Sequence, residues 1–165
     1  MANVNLNATV DYTEFEAIIE AYKQVCSNMK PAFQAVLAYW HKWNETYIFG
    51  LAGPGKYEDL SPDYASYKED HAVQESAYPI LKFSGVLEAS ITTDDSPYSV
   101  AEIGEDSLVM GTTAESIKGA PYALFLQLGT SRMPARPPII KTQDQIDKLA
   151  DTFLESMMQE IERTV

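Results

Sequence analysis

GAPYALFLQLGTSRMPARPPII, residues 119–140, is the stretch around which the rest of the chain is arranged. Its first half, Tyr122 to Leu128, is apolar with helical spacing and stops at Gly129, the residue best suited to a left-handed helix end. The second half cannot continue any regular element. Pro134, Pro137 and Pro138 remove backbone donors, and each biases the residue before it toward an extended backbone. Arg132 and Arg136 lie among them, two of only 12 basic residues in a chain with 24 acidic ones. The spacing predicts a short helix followed by an extended, proline-stiffened cationic arm over 129–140, a surface suited to being gripped by something else.

On the C-terminal side, Thr142 and Gln145 form a capping box. Ile146, Leu149, Ala150, Phe153, Leu154, Met157, Met158 and Ile161 then hold one face of a long amphipathic helix. Asp144 and Asp147 near its start and Arg163 near its end agree with the helix dipole. On the N-terminal side, Thr112 to Ala120 is a polar connection. Before it, Ser107 to Gly111 and Tyr98 to Ile103 read as strands joined by a turn at Gly104-Glu105-Asp106. Alternating Leu87, Ala89 and Ile91 predict a third strand, giving an antiparallel meander. Pro79 opens a helical turn that ends at Ser84-Gly85.

Further upstream, Ser61 and Pro62 carry the N-cap and first-turn chemistry of a polar helix, with Tyr64, Tyr67 and His71 along one side. GLAGPG, residues 50–55, is a flexible turn. Two amphipathic segments precede it. One starts at a Thr13–Glu16 capping box and repeats through Phe15, Ile18, Ile19, Tyr22, Val25, Cys26 and Met29. The other is opened by Pro31 after a break at Ser27 or Asn28 and runs to about Phe49. Residues 1–10 read as a loose arm or a short edge strand. The sum is one α+β domain over 1–165, with N- and C-terminal amphipathic helices packed on a small antiparallel sheet. So small a sheet hides its edges or pairs them with a neighbour.

Chemistry is not signalled. His41 and His71 are the only histidines and stand in no metal-ligand pattern, so both read as packing residues. The acidic pairs Glu69-Asp70, Asp94-Asp95 and Glu105-Asp106 fall in turns or on solvated faces. GLAGPGK has Tyr57 where a phosphate-binding loop needs its hydroxyl residue, and Ser84-Gly85 lacks the frame of a nucleophile elbow. The sole cysteine, Cys26, rules out an internal disulfide framework and, at helical spacing, reads as a small buried hydrophobe. A formal charge of −12 argues against a nucleic-acid-gripping surface, although an acidic wall suits DNA passing without sticking. No apolar run reaches membrane-span length and the N-terminus lacks an export signal, which predicts a soluble, non-exported chain. Neither a cofactor nor an enzymatic activity is expected.

Three stretches together resemble the phage virion morphogenesis family, the tail completion proteins of Mu-type minor head-to-tail joining, related to small neck and tail-terminator proteins. Leu60-Ser61-Pro62-Asp63-Tyr64-Ala65 with Tyr67-Lys68 is similar to that family's LSPxYAxxK helix start. Ile80-Leu81, Ser84-Gly85, Leu87 and Ser90-Ile91 match its ILxxSGxLxxSI segment. Tyr122-Ala123, Gln127, Gly129-Thr130 and Met133-Pro134-Ala135-Arg136-Pro137 are similar to YAxxHQxG and the later PAR. Leu126 stands where the family has His, and Pro137 where an aromatic is common. The likeness covers about 60–140.

The resemblance implies a structural virion protein at the head–tail junction, a ring of identical copies through which DNA passes, with tail-tube or head-connector proteins as neighbours. Its place is the virion, and the host cytoplasm during assembly. On this expectation Arg132, Met133, Pro134, Arg136 and Pro137 form the subunit or partner contact, with Arg132 or Arg136 meeting acidic side chains across it. Arg136 can equally anchor its own loop to a carboxylate of the same subunit. A reading of another class is an acidic soluble adaptor or inhibitor that binds a basic protein, with binding that collapses in salt.

Overall fold

Helix α2, Lys30–Trp43, is the element on which the others pack, and it runs without interruption into a π-helical turn, Asn44–Phe49. The computed structural model describes residues 13–50, 56–116 and 118–164. The expected arm over 1–10 and most of the 50–55 turn lie outside them. Asn44 stands at the change of helical pitch. Its buried Nδ2 donates to the carbonyl of Trp40 at 2.7 Å, and the turn closes with Gly50 N–H on the carbonyl of Glu45. The wider turn brings the adjacent residues Ile48 and Phe49 both inward, while Tyr47 stays out.

The fold is α+β. Helix α1, Thr13–Ser27, breaks from α2 at Asn28, whose Oδ1 accepts the N–H of Lys30, and Pro31 sits in the first turn of α2. Helix α3 is Pro62–His71 with Ser61 as N-cap, and α4 is Val86–Thr92. Strands β1, Ser99–Ile103, and β2, Leu108–Thr112, pair antiparallel with Ala101 opposite Met110. Helices α5, Tyr122–Leu128, and α6, Gln143–Thr164, follow. Thr142 Oγ1 accepts the N–H of Gln145 at 3.2 Å at the start of α6, as the capping box requires.

Two apolar clusters result. The larger joins Leu37, Trp40, Ile48 and Phe49 to Leu81, Leu87, Ile91 and Ala123, with the inward residues of the hairpin and Leu149 of α6 packed on it. The smaller joins Val25, Ala32 and Met157, with Phe153 and Ile161 further along α6. Phe33 and Phe153 meet there with ring centroids 5.1 Å apart. The hairpin also secures the α1–α2 break, because the carbonyl of Glu105 in its turn accepts the N–H of Met29 at 2.9 Å.

Three expectations need correction. The third strand is a helix: Leu87 and Ile91 are four apart, a spacing that fits both periods, and Ser90 decides between them. Ser90 is fully buried, donates to the carbonyl of Leu87 and meets Thr112 Oγ1 at 2.7 Å. The sheet among the described residues therefore has two strands. Residues 79–85 form turns after a cis Tyr78–Pro79 peptide, and Gly85, at φ 79°, starts α4 where it was expected to end a helix. Cys26 is exposed, because α1 packs through Ala21 and Val25 alone among its described residues.

Gly129 tests the geometry of the arm. Its φ is 74°, and a Cβ there would lie 2.8 Å from the backbone nitrogen of Ala135. Gly129→Ala is expected to lower stability by about 2 kcal/mol or more in urea unfolding. Gly111→Ala, where an added Cβ meets nothing within 4 Å, is expected to change it by less than about 1 kcal/mol.

Candidate functional site: a frame tied by two buried cations, and the surfaces it leaves free

The arm closes on itself in a turn and is then fastened to its own subunit at Arg136, Pro137 and Ile139. Thr130 and Met133 pair across a tight turn. Arg136 N–H donates to the carbonyl of Leu126 at 2.8 Å, so the chain after the turn runs back along α5. Gln127 then holds the backbone of Ile139 from both sides, its Nε2 donating to the carbonyl at 2.9 Å and its Oε1 accepting the N–H at 3.2 Å. Tyr57 Oη donates to the carbonyl of Pro137 at 3.0 Å, and burial pushes that phenol up to about 12.

Arg136 is 5% exposed. Its Nε and Nη2 donate to the backbone carbonyls of Glu58 and Asp59, at 3.1 and 3.0 Å. The guanidinium thus anchors its own loop, to carbonyls where a carboxylate was expected, and is not free to meet a neighbour. Of the five residues expected at a contact, Arg136 is buried and Met133, Pro134 and Pro137 are half-buried. Arg132 alone is exposed.

Lys68, which no reading of the sequence singled out as a site residue, is the second buried cation. It is 1% exposed, and its Nζ donates to the carbonyls of Ala77, Pro79 and Ile80 at 2.7, 2.5 and 3.1 Å. The three protons of an ammonium match these three acceptors. Burial pulls its pKa down to about 8. Its position in the LSPxYAxxK-like stretch was the available signal.

These contacts link the three stretches singled out in the sequence. Lys68 of the first holds the backbone that opens the second, and Arg136 of the third holds the chain leading into the first. Of the second, Ile80, Leu81, Leu87, Ser90 and Ile91 are buried, while Ser84 is exposed and Gly85 half-buried. All three build one frame.

Outside the frame, His71 stacks on Tyr67 with centroids 4.2 Å apart, and Tyr64 and Phe83 stack on Tyr67 at 6.2 and 6.1 Å. The expected alignment of Tyr64, Tyr67 and His71 is therefore present, half in solvent. Burial raises the Tyr64 phenol, as does Tyr67, against the opposing Arg136. His41 lies 3.5 Å from Asp94, and burial lowers its pKa more than that carboxylate raises it. Among the described residues no group of three His, Cys, Asp or Glu is placed to hold a metal, and no helix is long and apolar enough to cross a membrane. Comparisons with protein-family models, curated proteins and solved structures found no match.

Lys68→Met is expected to cost about 2–4 kcal/mol, since it leaves buried carbonyls without donors. Because the folded-state pKa of about 8 lies below the usual lysine value, the unfolded chain binds more protons above pH 8 and stability rises with pH there. Tyrosines with raised pKa oppose this only above about pH 10. Urea midpoints of the unsubstituted chain relative to Lys68→Met should climb from about pH 8 to about pH 9.5, and a flat difference would contradict the assignment.

Proposed function

We propose that this chain is a structural virion protein of the phage head–tail junction, which assembles as a homo-oligomeric ring and lets DNA pass without holding it. The observation that carries the reading is the convergence of the three family-like stretches on one frame through Lys68 and Arg136. The likeness thus falls on residues whose role is to build a body, as a joining protein requires. The net charge of −12 suits a wall that DNA passes without adhering. Tail-tube and head-connector proteins are the neighbours the reading implies, and its chemistry needs no cofactor and no catalytic group.

Electron micrographs of particles assembled without this protein provide the test. Filled heads and finished tails left unjoined, or tails of abnormal termination, are expected. Normally joined particles in its absence would contradict the reading.

A further inference from the structure

We propose that copies of this chain join head to tail, the apolar face of α1 on one copy covering the apolar face of α5 on the next. Helix α1 carries Phe15, Ile18, Ile19 and Tyr22 at the spacing of a single stripe, and they are 61, 38, 39 and 48% exposed. A stripe of this kind is the part of an amphipathic helix that normally meets another element. Every residue from 15 to 20 is exposed, so the first turns of α1 have no cover from the described residues of their own subunit. So short a helical segment gains little stability from propensity alone and needs such cover. Glu16, Glu20 and Lys23 flank the stripe, with Lys23 Nζ 3.3 Å from Glu20 Oε2, so the rim keeps one net negative charge, that of Glu16.

The α5 face is its counterpart in charge. Leu124, Phe125 and Leu128 are 51, 41 and 70% exposed, while Ala123 on the other side of the helix is buried. Between Lys118 and Thr142 the chain has four basic residues and no acidic one, against a net charge of −12 for the whole. Arg136 is used internally, but Lys118, Arg132 and Lys141 are exposed, with no side-chain partner among the described residues. Arg132 comes four residues after Leu128, the end of α5, and Lys141 comes two residues after Ile139, which Gln127 of α5 clamps. An apolar patch with a basic rim therefore faces outward from one element and an apolar patch with an acidic rim from another.

The two patches belong to different parts of the body. Helix α1 is packed with Met157, Phe153 and Ile161, whereas α5 belongs to the cluster that α6 reaches with Leu149. Leu149 and Ile161 are about 18 Å apart along the helix axis at 1.5 Å per residue. Two unlike, complementary patches make a heterologous contact, which repeats from copy to copy and closes into a ring when the rotation permits. The pairing names the partner surface for the ring proposed above, and ring closure rests on that reading. The contact itself rests on the two patches. With the apolar faces in contact, Glu16 and Glu20 lie at the rim opposite Arg132 and Lys141, where unlike charge fixes orientation and pairing.

Sedimentation velocity on two charge-reversed proteins tests this. One carries Glu16→Lys and Glu20→Lys, the other Arg132→Glu and Lys141→Glu. All four side chains are exposed, and circular dichroism verifies folding. Each protein alone is expected to self-associate about tenfold or more weakly than the unsubstituted chain, because like charges then face each other. Mixed in equal amounts, the two are expected to regain assembly, since each α1 then meets an α5 of opposite charge. A second pair, Ile18→Asp and Leu128→Asp, is expected to stop at one-to-one pairs when mixed. Unchanged assembly of each reversed protein alone would overturn the contact and leave the ring to other surfaces. A chain that stays monomeric at every concentration and salt level, or a mixture that does not reassociate, would also overturn it. Particles assembled without the protein judge the junction role separately.

Discussion

Two cations buried against backbone carbonyls hold together the least regular part of this molecule. Between the π-helical turn and α6, the chain is largely turns, short helices and one hairpin, and much of its backbone has no ladder to join. A carbonyl removed from water without a donor is costly. Lys68 supplies donors to Ala77, Pro79 and Ile80, and Arg136 supplies them to Glu58 and Asp59. Neither cation uses a carboxylate for this, in a chain with 24 of Asp and Glu. Among the described residues no Asp or Glu is buried, and the exposed ones set the sign of the field that a partner meets.

This use of Arg136 alters which surface faces outward. Proline stiffness makes the arm look like an element extended toward a neighbour, yet Gln127 and Leu126 hold it against α5, and Tyr57 holds Pro137 from the segment before α3. Its rigidity serves the subunit itself. What remains open is apolar: the stripe on α1, the outer side of α5, and Leu154 and Met158 on α6. Exposed apolar area of this kind marks contact surfaces more reliably than loop stiffness does. In the reading proposed above, the arm shapes and charges the edge of the α5 patch through Arg132 and leaves burial to the helices.

Much of the fold was legible from local chemistry. Pro31 and Pro62 open helices, Gly129 ends one, and the Thr142 hydroxyl caps α6. The strands β1 and β2 alternate as their residues require. Failures came where a local pattern has two solutions or where a partner is remote. Leu87 and Ile91 satisfy a strand and a helix alike, and only the pairing of Ser90 with Thr112 separates them. Cys26 has helical spacing, but spacing does not reveal how little of a helix face is covered. Arg136 finds its acceptors 77 and 78 positions earlier in the chain, and Lys68 finds its own in a loop. No periodicity carries such contacts.

The central claim is that the arm belongs to the body of each subunit, while the α1 stripe is what assembly covers. Amide hydrogen exchange on the subunit and on its assembly measures both at once. The N–H groups of Arg136 and Ile139, bonded to Leu126 and Gln127, are predicted to be protected already in the lone subunit and unchanged by assembly. The amides of α1 from Phe15 to Glu20 are predicted to exchange quickly in the subunit and slow markedly once copies join. An arm that exchanges freely in the subunit and is protected only on assembly, with α1 unaffected, would contradict the account.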